Sequence, residues 1–394
     1  MRGYRADTAF DGEHVLAGGV LVLVEGATIV GVEAGSAAAP ADCEVTYLPG
    51  TTLLPGLIDA HVHLCADSGP NALDRLPDMS TAELDAVITT AMQQQLTAGV
   101  TAVRDLGDRQ WAIVDVARTA HDGPTIVASG PPITSVKGHC WSMGGQAAGD
   151  DDLRRAVRER AERGADVVKI MASGGAMTPG TDVLACQFSL EELRLVVDEA
   201  HRVGLPVTAH AHGLPAVEMS LAAEVDGIEH CSCLTLTGLH TPPRVAARLA
   251  SAGINVCPTL GRAPGAQLSP QLVAIMERTG LTWEARIAQV AELYQAGVSL
   301  ISGADAGISP GKPHGVLPVS VADLTDCAVP NDEALASATS RAANACGLSE
   351  RTGRLKSGLD ADLLIVDGDP LRDILALHSV RAVVSRGREV KPAG

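Results

Sequence analysis

Hydrophobic residues in the middle of the chain alternate between two spacings. Short β-branched runs with the period of a strand are followed by longer stretches with the period of an amphipathic helix, and eight such β–α units follow one another. Right-handed β–α–β crossovers favour a parallel sheet, and eight units over roughly 250 residues are what a (β/α)8 TIM barrel requires. The strands are predicted to end in segments 58–63, 101–105, 125–128, 167–170, 206–212, 227–230, 254–257 and 298–305.

The two ends of the chain have a different pattern, in which short valine-rich runs are separated by glycine turns. Residues 1–55 and 353–394 are each too short to enclose a core, so we expect them to pair into one small β-sandwich domain beside the barrel of residues 56–352. The sequence therefore predicts an α/β fold with a composite terminal domain. Segments 258–283 and 308–330 are rich in Gly, Pro and Ser and follow barrel strands, so we predict that they form lids.

Composition excludes several classes of function. The chain has 394 residues and a net charge of −17, which argues against nucleic-acid binding because phosphate neutralisation needs a basic surface. No run approaches the ~18 uncharged apolar residues of a membrane span, and the first residues lack a signal-peptide pattern. The nine cysteines are sparse and odd in number, as expected of reduced thiols. We therefore predict a cytoplasmic protein.

Candidate chemistry is concentrated at the predicted strand ends. His61 and His63 flank one valine in an extended segment, and the strand period of two places both imidazoles on one face. Barrel enzymes assemble their sites at the carboxyl ends of the strands, so residues at the other ends are expected nearby. These are Lys169 on the fourth strand, His210 on the fifth, His230 on the sixth and Asp305 on the eighth.

These residue types predict a catalytic metal site. Neutral imidazoles and a carboxylate are typical zinc ligands, and a position left open for water distinguishes a catalytic site from a structural one. Lys169 needs a separate explanation, because a buried unpaired ammonium among cations costs several kcal/mol. Two interpretations remain open: a neutral amine that acts as a nucleophile, or a nitrogen carboxylated by CO2 into an anionic carbamate ligand.

Seven segments, most of them at strand ends, form a recognisable set of motifs. They are 54–64 (LPGLIDAHVHL), 99–105 (GVTAVRD), 167–170 (VVKI), 209–213 (AHAHG), 227–230 (GIEH), 303–307 (GADAG) and 353–363 (GRLKSGLDADL). Together they resemble the amidohydrolase superfamily, and specifically its prolidase, N-acyl-amino-acid amidase and imidazolonepropionase-like branch. The resemblance extends over nearly the whole chain and does not identify the substrate.

The resemblance implies a binuclear metal centre with two divalent ions, for which the ligand types favour zinc. In the implied mechanism a hydroxide between the metals attacks the scissile carbonyl, and Asp305 carries its proton to the leaving amine. The implied ligands are His61, His63 and Asp305 for one ion, His210 and His230 for the other, and carboxylated Lys169 as the bridge.

Four further residues are candidates for substrate contact. His212 faces the same way as His210 in an extended strand, although a packed histidine is the alternative. The resemblance makes His139, in a Gly-His loop after the third strand, a candidate catalytic electrophile or hydrogen-bond donor, with a solvated loop histidine as the alternative. Lys137 is a candidate partner for a substrate carboxylate or a solvated surface lysine, and His314 in the predicted lid is a candidate to reach the substrate.

The resulting prediction is a binuclear metal-dependent amidohydrolase that acts on a small carboxylate-bearing amide, such as an Xaa-Pro or other dipeptide or an N-acyl amino acid. The carboxylate preference comes from the resemblance alone. A cyclic-amide hydrolase or lactonase on the same metal centre is the alternative, and a non-catalytic binding protein is disfavoured because all six implied ligands are present. We expect a small-molecule substrate, no nucleic-acid or membrane partner, and a homo-oligomer as in many relatives.

Overall fold

The computed structural model describes residues 1–119 and 122–390. The strands are β1 (Arg2–Phe10), β2 (Val15–Leu16), β3 (Val20–Glu25), β4 (Thr28–Ala34), β5 (Glu44–Pro55), β6 (Leu57–Val62), β7 (Val100–Asp105), β8 (Thr125–Ala128), β9 (Val168–Met171), β10 (Val207–Gly213), β11 (Gly227–Thr235), β12 (Gly238–Leu239), β13 (Asn255–Cys257), β14 (Ser299–Leu300), β15 (Leu363–Asp367), β16 (Val380–Ser385) and β17 (Arg388–Glu389).

Helices occupy most of the connections between the central strands. They are α1 (Ala72–Arg75), α2 (Thr81–Thr97), α3 (Ala112–Ala117), α4 (Gly149–Arg163), α5 (Leu190–Arg202), α6 (Leu214–Ala222), α7 (Pro243–Ala252), α8 (Pro270–Thr279), α9 (Trp283–Gln295), α10 (Leu317–Asp326), α11 (Asn331–Ser337) and α12 (Ser340–Ala345), with 3-10 turns at Leu76–Asp78, Trp141–Met143 and Ile374–His378.

Both ends of the chain contribute to one sheet. Its strand order is β17-β16-β15-β5-β1-β3-β4, with β2 paired to β1, so β5 joins the amino-terminal strands to β15 from the carboxyl-terminal part. Tyr4, Val22 and Ile365 belong to an apolar cluster that this sheet buries, which explains why the two segments depend on each other. The sandwich arrangement and the domain limits at residues 55 and 353 stay predictions, and residues 391–394 lie outside the described part of the chain.

The central strands give a TIM-barrel-type α/β fold. All eight predicted strand segments contain a strand: β6, β7 and β8 form one parallel sheet, and β9, β10, β11, β13 and β14 form a second, extended by β12. Single parallel bridges, Val62 with Ala306 and Ile133 with Ile170, connect the two sheets. Continuous pairing stops at these two places within the described residues, so a fully closed ladder is not observed. At one of them Pro131 and Pro132 interrupt the strand, because proline has no N–H for a ladder.

The helices and lids complete the architecture. Helices α4 and α5 pack together outside the central sheets, and their inward residues Val157 and Leu193 are buried. The predicted lids contain α8 in segment 258–283 and α10 in segment 308–330. None of the helices in the described ranges has the length and hydrophobicity that crossing a membrane requires.

Candidate metal centre

The candidate ligands meet at the carboxyl ends of the central strands, where side chains from separate strands converge. His61 is the penultimate residue of β6, His63 lies just beyond the strand, and Asp305 follows β14. A cavity of about 200 Å³ opens between these elements and the lids. Its polar lining consists of His61, His63, His139, Cys140, Lys169, His210, His212, His230, Thr259, Asp305, Ser309 and Lys312.

The first group of donors is His61, His63 and Asp305. The Nε2 atoms of His61 and His63 lie 3.4 and 3.3 Å from Oδ1 of Asp305. The other ring nitrogens are engaged: Nδ1 of His61 lies 2.8 Å from Glu229, and Nδ1 of His63 lies 2.9 Å from the Gly107 carbonyl. With a proton on Nδ1, each Nε2 can offer its lone pair to a cation held beside Asp305. These three donors can share one cation.

The second group is His210, His212 and His230, whose ligand atoms all lie within 4.8 Å of one another. Nε2 of His210 lies 3.1 Å from the Gly174 carbonyl, and Nδ1 of His230 lies 2.8 Å from Oγ1 of Thr259. Each ring therefore keeps one nitrogen for a metal. The ring of His212 stacks on that of His230 with centroids 4.4 Å apart, so a residue predicted only to touch substrate lies among the candidate ligands.

Lys169 lies in the same cavity and is 1% exposed. Within residues 1–119 and 122–390 its Nζ has no hydrogen-bond partner. Burial lowers the pKa of this amine, because the protonated form loses its hydration. An unpartnered polar atom at such a position is costly unless a further group satisfies it. The Lys169 amine therefore fits a modification or a ligand better than a structural role.

The pKa values of the candidate ligands bear on whether they can bind a cation. Burial lowers the pKa of His61 and of His212 to about 4, so both imidazoles are neutral near pH 7. Burial alone would raise the pKa of Asp305, yet His61 and His63 hold it well below its usual range. His63 differs, because its contact with Asp305 raises its pKa although burial alone would lower it. A divalent metal requires neutral imidazoles beside an ionised carboxylate, so a cation bound here would displace the proton of His63. Together with the orphaned Lys169 amine, these residues fit a pair of divalent ions.

Backbone strain helps to aim three of these side chains. His230, Thr259 and Asp305 have φ angles of 65°, 49° and 57°, in the left-handed region that side chains other than glycine rarely adopt. His230 lies within β11, and Thr259 and Asp305 follow β13 and β14. An extended backbone at these positions would alternate successive side chains between the two faces of the sheet. Such strain persists only where the surroundings enforce it, and it is commonly found at functional sites.

Sequence reasoning missed Glu229 and Arg104. Glu229 is buried beneath His61 and also accepts hydrogen bonds from Arg104 at 2.9 Å and from Thr208 at 2.6 Å. Both residues lie inside the recognised motifs, directly beside a predicted ligand or at a strand end. The available signal was a charged residue within a strand whose neighbours are otherwise apolar. The role of such a charged residue can be inferred only once it is known which strands are adjacent in the barrel.

The other candidate substrate contacts fall in different environments. His139 lines the cavity: its Nδ1 lies 2.9 Å from Oγ1 of Thr178, and its ring centroid lies 4.6 Å from that of His210. Lys137 is exposed and is not among the described residues that line the cavity. His314 is buried beside the Ala66 carbonyl, at 2.9 Å, and also lies outside this described lining.

Catalytic groups of barrel enzymes lie at this end of the strands, and histidine and carboxylate donors around a cavity are typical of metal-dependent hydrolases. Comparison with known proteins agrees with this class. The chain belongs to the amidohydrolase family, whose model matches residues 52–390. Its relatives are hydrolases of carbon–nitrogen bonds, and so is this chain.

Individual relatives are similar over most of their length. Ochratoxinase of Aspergillus niger is 27% identical over 398 residues, which cover 87% of this chain and 77% of that protein. Imidazolonepropionase of Xanthomonas oryzae pv. oryzae is 26% identical over 380 residues, covering 88% and 86% of the two chains. A prolidase solved with N-methylphosphonate-L-proline superposes with a TM-score of 0.86 at 27% identity, covering 100% of both chains.

Proposed function

We propose that this chain is a binuclear metal-dependent amidohydrolase that cleaves the amide bond of a small carboxylate-bearing substrate, such as a dipeptide or an N-acyl amino acid. The observation that carries the proposal is the buried, unpartnered amine of Lys169 in one cavity with two groups of three donors. Similarity to a prolidase solved with a proline phosphonate supports the substrate class.

The proposed centre uses His61, His63 and Asp305 for one ion and His210 and His230 for the other, with zinc as the expected metal. Such ions polarise a carbonyl and lower the pKa of water from 15.7 toward about 7. Lys169 contributes a carbamate: its neutral nitrogen attacks CO2, a nitrogen–carbon bond forms, and the displaced proton leaves to solvent. The resulting anionic oxygens are suitable metal ligands.

Asp305 is the proposed proton carrier. Its carboxylate is ionised near neutral pH, because the two adjacent imidazoles favour the charged form. It takes a proton from the attacking water and delivers it to the leaving amine, so the carbon–nitrogen bond breaks without a charged amide nitrogen as leaving group. His139 and His212 line the same cavity and are the proposed hydrogen-bond donors to the substrate.

A second candidate is hydrolysis of a cyclic amide or a lactone by the same centre. Similarity to imidazolonepropionase, which covers 88% of this chain, favours it. The residues that hold the metals and carry the proton are the same for both reactions. A substrate panel therefore separates the two candidates better than substitutions at the metal centre.

The test is amine release by the zinc-loaded, bicarbonate-treated enzyme across Xaa-Pro dipeptides, other dipeptides, N-acyl amino acids and cyclic amides. We expect turnover of linear amides, a metal content of two ions per chain, and a loss of at least about 100-fold for Asp305→Asn. Glu218→Gln, at an exposed ion pair with Arg244, is the control. Turnover confined to cyclic substrates would replace the proposal by the second candidate, and a metal content of one ion or fewer per chain would contradict a binuclear centre.

The carbamate has its own spectroscopic test. Enzyme equilibrated with 13C-labelled bicarbonate is expected to show a carbamate carbonyl resonance that is absent from Lys169→Met. Lys356→Met, which removes an exposed lysine in the carboxyl-terminal part, should keep the resonance. A wild-type spectrum without it, at full metal loading, would favour a neutral Lys169 amine.

The architecture and cellular setting of the proposed enzyme remain predictions. We infer that the two parallel sheets form one barrel through the bridges at Val62 and Ile133, beside a sandwich built from both chain ends. A cytoplasmic homo-oligomer that acts on a small molecule is expected.

A further inference from the structure

A second cavity of about 220 Å³ adjoins the metal centre beneath the lid formed by segment 258–283. His212, His230 and Thr259 line both cavities, so a molecule at the metal centre can extend into the second one. The wall also contains Arg262 and Arg286, whose guanidinium groups donate to backbone carbonyls: Arg262 to Ala266, and Arg286 to His230 and Pro258. The rest of the wall is largely apolar. The apolar side chains come from Val183, Leu234, Leu260, Leu268, Leu272, Ile275, Met276, Leu281 and Trp283.

Lys312 is the basic residue that lines both cavities. Its Nζ donates to the carbonyl oxygens of Thr259 and Leu260 at 2.8 and 3.0 Å. An ammonium has three donors, so two are used and one remains. In the described part of the chain, no carboxylate oxygen lies within the 4.0 Å that defines an ion pair with Lys312. The two lids therefore hold the charge in place without a direct ion pair, and the carboxylates of Asp305 and Asp323 act on it only from a longer distance.

The surroundings of Lys312 favour an anion from outside the chain. Gly307 N–H donates to the Lys312 carbonyl at 2.7 Å, and the Lys312 N–H donates to Ser309 at 2.8 Å, so a tight loop fixes its backbone. A partly buried cation at a cavity wall gains more from a carboxylate than a solvated surface lysine does. The neighbouring apolar wall suits a hydrocarbon group attached close to that carboxylate.

We propose that Lys312 binds the α-carboxylate of the amino-acid portion of the substrate, and that the adjoining apolar cavity takes a large apolar side chain of that residue. This inference rests on the proposed amide hydrolysis and narrows it. The preferred substrates are N-acyl amino acids or dipeptides whose carboxyl-terminal residue is leucine, phenylalanine or similar. Lys312 replaces exposed Lys137 as the residue that recognises the carboxylate.

The kinetic test compares N-acetyl-L-leucine with N-acetyl-L-leucinamide and N-acetylglycine. Wild-type enzyme is expected to prefer the leucine acid over its amide by about 10- to 100-fold in kcat/KM, as for a hydrogen bond to a charged group. It should prefer leucine over glycine by more than about 10-fold, because the apolar cavity is then filled. Lys312→Met should abolish the acid-over-amide preference through a rise in KM, and Lys312→Arg should keep part of it.

The acid-to-amide ratio separates recognition from structural damage. Lys312 also tethers the two lids, so a purely structural role would lower kcat/KM for the acid and the amide equally, which would overturn the proposal. Lys137→Met tests the alternative lysine. If the acid-over-amide preference is lost in Lys137→Met but kept in Lys312→Met, the proposal for Lys312 is also overturned. Lys356→Met, an exposed lysine remote from both cavities, is the matched control.

An equilibrium measurement gives a result even if no substrate is turned over. Calorimetric titration with 4-methylpentanoate and 4-methylpentanamide compares a charged and a neutral ligand of one shape. Tighter binding of the acid by the wild type, lost in Lys312→Met, supports the carboxylate site even where the hydrolysis proposal fails. Equal binding of the acid by wild type and Lys312→Met would assign its carboxylate to the metal ions and overturn the role of Lys312.

Discussion

At the scale of single residues, Glu229 links the metal centre to the barrel interior. It accepts hydrogen bonds from His61, Arg104 and Thr208, and it is 1% exposed. Burial alone would raise the pKa of Glu229, but the Arg104 guanidinium and His61 hold it well below its usual range. A buried charge pair of this kind gives little net stability, but removing one partner leaves the other uncompensated. Its main effect here is to orient His61.

Glu229→Gln should therefore weaken metal binding while leaving every direct ligand in place. The amide cannot accept from both Arg104 and His61 as a carboxylate does, so the proton on Nδ1 of His61 loses its strongest acceptor. We expect metal affinity to fall about 10- to 100-fold, measured by zinc titration against a chelator. Glu218→Gln at the surface should bind zinc like the wild type, and unchanged affinity in Glu229→Gln would contradict the positioning role.

At the scale of elements, the site depends on how closely the segment after β14 packs against β6. A Cβ built on Gly303 would lie 2.6 Å from Sγ of Cys257 and 2.7 Å from the backbone nitrogen of His61. The absence of a side chain lets the Ala60 and Asp305 N–H groups reach Ser302 and His61 at 3.0 and 2.8 Å. Glycine at this position therefore sets the distance between the His61 and Asp305 backbones.

Gly303→Ala should separate these two segments. Forcing a methyl group into contacts this short costs on the order of 1–3 kcal/mol, so the melting temperature should fall. Zinc affinity should fall with it, because His61 and Asp305 move apart. Gly311→Ala is the matched control, since its added Cβ would meet nothing closer than 3.5 Å. A variant with wild-type zinc affinity would show that this packing does not position the ligands.

The local sequence pattern predicted most of the helices and strands, because their hydrophobic periodicity is detectable within a few consecutive residues. It located the strands that carry the candidate ligands His61, Lys169 and His210. It did not reveal Glu229, whose three partners come from three other strands. It also suggested Lys137 and His314 as substrate contacts, although neither is among the residues that line the described cavity. Both lie in loops, and loop conformation depends on tertiary contacts rather than on sequence spacing.

At the scale of the whole molecule, Asp362 connects the terminal sheet to the central strands. Its carbonyl accepts from Gly56 at 2.9 Å, and its carboxyl oxygens accept from Thr352 and from the Arg386 backbone, each at 2.8 Å. Gly56 stands between β5 of the terminal sheet and β6 of the barrel. Burial raises the pKa of Asp362 from 3.8 to about 6, because the hydrogen bonds only partly offset the lost hydration. This junction therefore becomes pH-sensitive.

The sign of that dependence follows from proton linkage. The folded state holds the Asp362 proton up to about pH 6, whereas the unfolded chain releases it near 3.8, so this contribution to stability is lost as pH rises between these values. The side chain in the Asp362→Asn variant cannot ionise. The free energy of unfolding of this variant, relative to that of the wild type, should therefore rise as pH increases through that window by on the order of 3 kcal/mol and then level off. Melting temperatures from pH 3.5 to 7.5 at one scan rate check this. Thr352→Ser keeps the hydroxyl donor, so its melting temperature should change with pH in parallel with that of the wild type. A difference in melting temperature between Asp362→Asn and wild type that stays constant with pH would show that the buried carboxyl does not titrate at this junction.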